Sequence, residues 1–165
     1  MSDTEMTTLL GFLTDKREHV LGALEGLDDE ALRRPVLPSG WTCLGLVRHL
    51  ALDDEKFWFR AVAAGERLAV EEILSSGDDA WNPAPETSAQ EVLALYREQI
   101  ELSDVILAGA DPDAATAWWP DFFDGWRYDT LREVVLHVIT ETATHAGHLD
   151  AVRELIDGRQ RLVIT

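Results

Sequence analysis

The chain has 165 residues and a mass of 18.4 kDa, which suits one compact domain over residues 1–165, and its 46% apolar content can fill a single core. Thirty-one acidic against 14 basic side chains leave a formal charge of −17. Such a field repels phosphate backbones and anionic lipid surfaces, which sets aside nucleic acid and membrane as partners. One cysteine, Cys43, cannot close an internal disulfide. No basic region precedes an apolar stretch at the start, and no apolar run approaches the ~18 residues of a membrane span, so a cytoplasmic protein is expected.

Apolar residues at Leu9, Leu13, Val20, Leu24 and Leu27 recur at steps of three, four and seven, and predict an amphipathic helix over residues 7–27. Asp28, Asp29 and Glu30 suit a short extra turn that Pro35 stops. A second helix is expected from Thr42 to Gly65, with Leu46, His49, Leu50, Phe57 and Val62 on its apolar stripe. Ser88 with Glu91 fits a capping box for a third helix. Its predicted core stripe is Val92, Leu95, Tyr96, Gln99, Leu102 and Ile106, and Gly109 closes it. Thr130 with Glu133 repeats the signal for a fourth, which carries Val134, Val138, Leu149, Val152 and Ile156 and ends at Gly158. Four helices, each with one apolar face, predict an all-α four-helix bundle. Residues 161–165 suit a short extended tail.

The connections over residues 65–86 and 110–129 are long for an up-and-down bundle. Both are rich in tryptophan and proline, with Trp81, Pro83 and Pro85 in one and Trp118, Trp119, Pro120 and Trp126 in the other. Two compatible roles follow: covering the end of the core, and walling a pocket there.

The chemistry concentrates in the fourth helix. Taking His137 as zero, Glu141 lies at about 40°, His145 at about 80° and His148 at about 20° around the axis. All four share a face with Val134, Val138 and Val152, and buried ionisable groups are costly unless paired or bound to metal. Glu141 and His145, one turn apart, can grip one ion, and His49 on the second helix offers a third ligand. Imidazole with carboxylate suits Zn²⁺, Ni²⁺ or Mn²⁺ and leaves a coordination position open. The same spacing also suits a plain Glu–His hydrogen bond. His148 is a candidate acid–base group, His137 reads as an ordinary core or rim histidine, and His19 as exposed or packed between helices. Cys43 reads as a small buried hydrophobe, and the pairs Asp53-Asp54 and Asp78-Asp79 as solvated charge.

Pro38-Ser39-Gly40-Trp41-Thr42, followed by Leu44-Gly45-Leu46-Val47-Arg48-His49-Leu50, resembles the entry to the second helix in the DinB-like superfamily. Glu141-Thr-Ala-Thr-His145-Ala-Gly-His148-Leu-Asp150 resembles the fourth-helix motif of one branch, that of the mycothiol-dependent maleylpyruvate isomerases and related thiol transferases. The resemblance implies a bundle, often a homodimer, with one divalent metal, zinc foremost, held by His49, Glu141 and His145. It also implies a metal- and thiol-dependent transferase, in which the ion activates a low-molecular-weight thiol such as mycothiol against an electrophile held by the Trp-rich connections. His148 or solvent would take the thiol proton. The isomerases carry a further C-terminal domain, whereas this chain ends soon after His148, so isomerase activity itself is not expected. An anionic substrate would need Arg48, Arg127 or Arg132 at the mouth of the site. Two other functions fit the same residues: a non-catalytic, dimeric stress-response module, and a metal-dependent hydrolase.

Overall fold

A computed structural model describes residues 2–77 and 79–161. The expected extended tail, beyond Arg161, lies outside the described residues, as does Asp78. Within them the chain is all-helical, and the β-type pairing is confined to an isolated bridge between Ala115 and Thr130.

The first helix, α1 (Ser2–Leu24), starts more than a turn before the expected position and adds Met6 to the core. Asp28 caps α2 (Asp29–Arg33) by accepting the Ala31 N–H at 2.8 Å. Thr42 caps α3 (Cys43–His49), its hydroxyl accepting from the Gly45 N–H. Both predicted capping boxes form, Ser88 with Glu91 on α5 (Ala89–Leu107) and Thr130 with Glu133 on α6 (Leu131–Asp157). The last helix stops where Gly158 turns left-handed at φ 79° and returns its N–H to the Glu154 carbonyl.

Three features depart from the sequence expectation. The second rod is not uniformly α-helical: after His49 it widens into a π-helix over Leu50–Ala63. Its buried positions pair as Leu50 and Ala51, Asp54 and Glu55, Trp58 and Phe59, and then Ala61 and Val62, so the first three pairs step by four residues and the last by three. Within the first long connection a further helix, α4 (Arg67–Ser75), packs on this π segment. Finally, Leu102, expected in the core, is 37% exposed, and Ser103 takes the inward place. The small Ser103 side chain lets α5 lie close to the π segment, where its hydroxyl donates to the Glu55 carbonyl at 3.5 Å.

α1 packs along α6, and the second rod packs against α5 and α6. This arrangement makes two apolar clusters. One gathers Val20, Leu24, Leu44, Leu46, Leu50, Tyr96 and Leu149. The other gathers Met6, Leu13, Phe59, Leu107, Val134 and Val138. Arg17, between Leu13 and Val20 on α1, crosses the boundary. Its guanidinium donates twice to Glu55, through Nε and Nη2 at 2.7 Å each, and Nη1 donates to Asp104 at 2.7 Å. The Arg17 and Glu55 side chains are 4% and 1% exposed.

Removing one partner of such a pair strands a buried charge. Arg17→Met is expected to cost about 3–5 kcal/mol in urea unfolding, and the double change with Glu55→Leu to recover most of it.

Candidate metal centre

The three residues singled out in the sequence converge. His49 is the last residue of α3, and Glu141 and His145 lie one turn apart on α6. One donor atom from each falls within 4.8 Å of the other two. His145 Nε2 lies 3.6 Å from a Glu141 carboxylate oxygen. Ligands at about 2.1 Å from a tetrahedral ion sit ~3.4 Å apart, so the set is close to the size a single cation bridges. The side chains are 15% (His49), 38% (Glu141) and 12% (His145) exposed, shielded but reachable.

Each imidazole is held from behind. Asp53, one turn beyond His49, approaches its Nδ1 with a carboxylate oxygen at 2.8 Å, which leaves Nε2 free. A carboxylate on the outer nitrogen is the usual support of a metal-binding histidine. The Trp81 ring stacks on His49 at 4.3 Å and 20° and meets His145 edge-on at 5.6 Å. Trp81 can come so close because position 45 is glycine: a Cβ there would lie 2.0 Å from the Trp81 carbonyl oxygen. His145 in turn has its Nδ1 at 3.4 Å from Nδ1 of His148, whose ring lies beside Trp41.

A cavity of about 750 Å³ opens on this cluster. His49, Glu141, Asp53 and Asp54 reach it from one end, and Phe57, Trp58, Phe122 and Phe123 line another part. Residues from both long connections, Ile73 of α4 and Phe122 with Phe123 of a short 3₁₀ turn (Asp121–Phe123), complete the wall. The connections thus do wall a pocket. His137, read from sequence as a core or rim histidine, also lines the cavity, whereas His148 is exposed beside His145.

The reading of Asp53-Asp54 as solvated charge holds for Asp53, which is exposed, and fails for Asp54. Asp53 braces His49, and Asp54 is 3% exposed with Oδ2 buried and unpartnered. Burial, reinforced by Glu141, pushes the Asp54 carboxyl well above the usual range. The four-residue step from His49 to Asp53 was a usable signal for the first role. Asp79 is a turn cap, accepting the Trp81 N–H at 2.9 Å. His19 bridges α1 to α6 through Asp150 at 2.7 Å. Cys43 is buried, and desolvation raises its thiol pKa to about 11, which suits packing rather than attack.

The family model for MST, mycothiol-S-transferase, matches residues 8–158. The chain belongs to that family. Mycothiol-S-transferases are a DinB-like family, in keeping with the resemblance of the Pro38–Leu50 and Glu141–Asp150 motifs. The match runs from within α1 to the Gly158 cap, so every element that supplies the cluster belongs to the mycothiol-S-transferase fold. No curated protein matches the chain. Among the described residues no helix is long and apolar enough to cross a membrane.

Burial and the neighbouring His49 hold the His145 pKa down to about 4, against the pull of Glu141. A free imidazole titrates near 6.5, so on acidification the unfolded chain takes up this proton first. The stabilisation is complete above about 6.5 and lost as pH falls towards 4. In chelator-treated protein, the melting temperature should therefore drop more between pH 7 and 4.5 than in His145→Gln, by calorimetry.

Proposed function

We propose that the chain is a divalent-metal-dependent thiol transferase, with His49, Glu141 and His145 as the ligands and a low-molecular-weight thiol such as mycothiol as the donor. The observation that carries this is the three-donor cluster opening on a cavity in a mycothiol-S-transferase bundle. Two imidazoles and a carboxylate are a zinc-like set, and both imidazoles present one nitrogen with the other already engaged. An ion held there supplies Lewis acidity that keeps a thiol in its nucleophilic thiolate form near neutral pH.

The protein's own residues do the rest. Asp53 and Trp81 fix the His49 ring, and His148 steadies His145 through its outer nitrogen, a positioning role in place of direct proton transfer. The aromatic part of the cavity receives an electrophile beside the cluster and keeps water from competing for it. A reducing compartment such as the cytoplasm suits both a free thiol donor and the lone buried Cys43.

Tag-free protein is expected to carry one equivalent of zinc by elemental analysis and to transfer mycothiol to an electrophile such as monobromobimane. Chelation should abolish transfer. Stoichiometric metal retained by His145→Ala would overturn the ligand assignment, and metal-loaded protein inert towards every thiol and electrophile would overturn the activity.

Asp53→Asn keeps the ligands but weakens the brace on His49. Competition with a chromogenic chelator should show metal affinity reduced about 10- to 100-fold.

A further inference from the structure

The cavity holds one chemically capable group that thiol activation leaves unused. His137 lies one turn before Glu141 on α6 and reaches the same cavity. Its ring stands edge-on against Trp58 at 4.5 Å and 68°, at the junction of the acidic and aromatic parts. Its Nδ1 is 3.2 Å from the Tyr128 hydroxyl. We propose that His137, backed by Tyr128, donates a proton to an oxygen on the electrophile. The acceptor substrates are then uncharged aromatic oxygen electrophiles, of which aryl epoxides are the type. This rests on the thiol-transferase reading and adds to it the identity of the second substrate.

With the Tyr128 hydroxyl assigned as the donor to Nδ1, the single ring proton of a neutral imidazole lies on Nε2. Burial lowers the proton affinity of His137 and raises that of Tyr128, so the ring stays neutral and the phenol keeps its proton near pH 7. A neutral Nε2–H is a donor suited to an oxygen that gains negative charge during reaction.

The choice of an uncharged, aromatic substrate follows from the walls. Phe57, Trp58, Phe122 and Phe123 offer flat apolar surface, packed among themselves with centroids 4.9–6.3 Å apart. The lining cations are engaged: Arg48 donates to the Asp79 carbonyl and Lys56 pairs with Glu72. Arg127 lies over Trp119, and Arg132 pairs with Glu5 and Asp113, so neither serves a cavity anion. With Asp53, Asp54 and Glu141 also lining it, the cavity disfavours carboxylate substrates.

The step balances. The sulfur lone pair forms a C–S bond to an epoxide carbon, and the C–O bond breaks with its electron pair passing to oxygen. That oxygen takes the Nε2 proton of His137 while the Tyr128 proton moves to Nδ1. Water then returns a proton to Nε2 in the cavity as Nδ1 hands its proton back to the Tyr128 oxygen, which restores the starting tautomer and matches the proton that the thiol released to water.

Two measurements test the assignment. In metal-free protein, tryptophan fluorescence titrations should show His137→Leu weakening acetophenone about three- to tenfold while ethylbenzene is unaffected, with His137→Gln, which keeps an N–H donor, restoring most of it. In metal-loaded protein with mycothiol, His137→Leu should slow styrene oxide by about 100-fold or more but benzyl chloride, whose leaving group needs no proton, by less than about threefold. Tyr128→Phe should slow styrene oxide alone, by about tenfold. Equal losses on both electrophiles, or unchanged acetophenone binding in His137→Leu, would overturn the proposal while leaving thiol transfer standing. A wild-type enzyme inert to both electrophiles but active on monobromobimane would overturn the proposal alone, and one inert to all three would overturn the transferase reading with it.

Discussion

The contact on which the architecture turns is the double hydrogen bond between Arg17 and Glu55. A π segment bonds i→i+5 and is rare at this length, so contacts from outside it matter for holding it in place. Glu55, fixed by the Arg17 guanidinium with Phe59 5.9 Å beneath it, supplies such a contact. Once Glu55 faces α1, the neighbouring Asp54 and Trp58 reach the cavity, and His49 meets α6 at the level of Glu141 and His145. Leaving the pair half-made would bury an isolated charge, so slipped registers are penalised far more than in an apolar core.

The cluster is therefore assembled from both sides. Its donors come from two elements, and both histidines have outside support, Asp53 and Trp81 for His49 and His148 for His145, while the turn of α6 sets the spacing of His145 and Glu141. Such support lowers the entropy lost when ligands close on an ion. It also explains an otherwise odd investment, a tryptophan carbonyl packed where no side chain fits except the hydrogen of Gly45.

Much of this was legible in the sequence because it is local. Capping boxes at Ser88 and Thr130, the Gly158 stop, and the shared face of Glu141, His145 and His148 depend on spacings of three and four along one helix. His49 was legible because the apolar stripe around Leu46 and Leu50 places it inward. What escaped was non-local. Widening of the second rod after His49 follows from how Glu55, Ser103 and Arg17 meet across three helices, and no window of residues 50–63 contains that information. Asp54 looks like surface charge for the same reason, since its burial is decided by partners elsewhere in the chain. Leu102 failed as a core residue because α5 approaches the π segment through the smaller Ser103. Asp53 lay between these cases: its four-residue distance from His49 was visible, but the charged pair Asp53-Asp54 disguised it.

The strongly negative chain and the aromatic part of the cavity wall are two sides of one selection. A net charge of −17 raises the local concentration of cations around the molecule, and Asp53, Asp54 and Glu141 focus that field at one end of the cavity. The same field turns away small carboxylates, which leaves apolar molecules as the solutes able to enter through the aromatic side. Without a cation, the acidic end carries mutual repulsion, which adds to burial in raising the proton affinity of Asp54. A divalent ion bound there would relieve it, so ion uptake and fold stability would be linked, with the folded chain gaining RT ln(1 + c/Kd) at a free ion concentration c. On the proposed reading, a cavity that attracts an ion electrostatically and an electrophile by desolvation would fill both subsites without either ligand competing for the other's contacts.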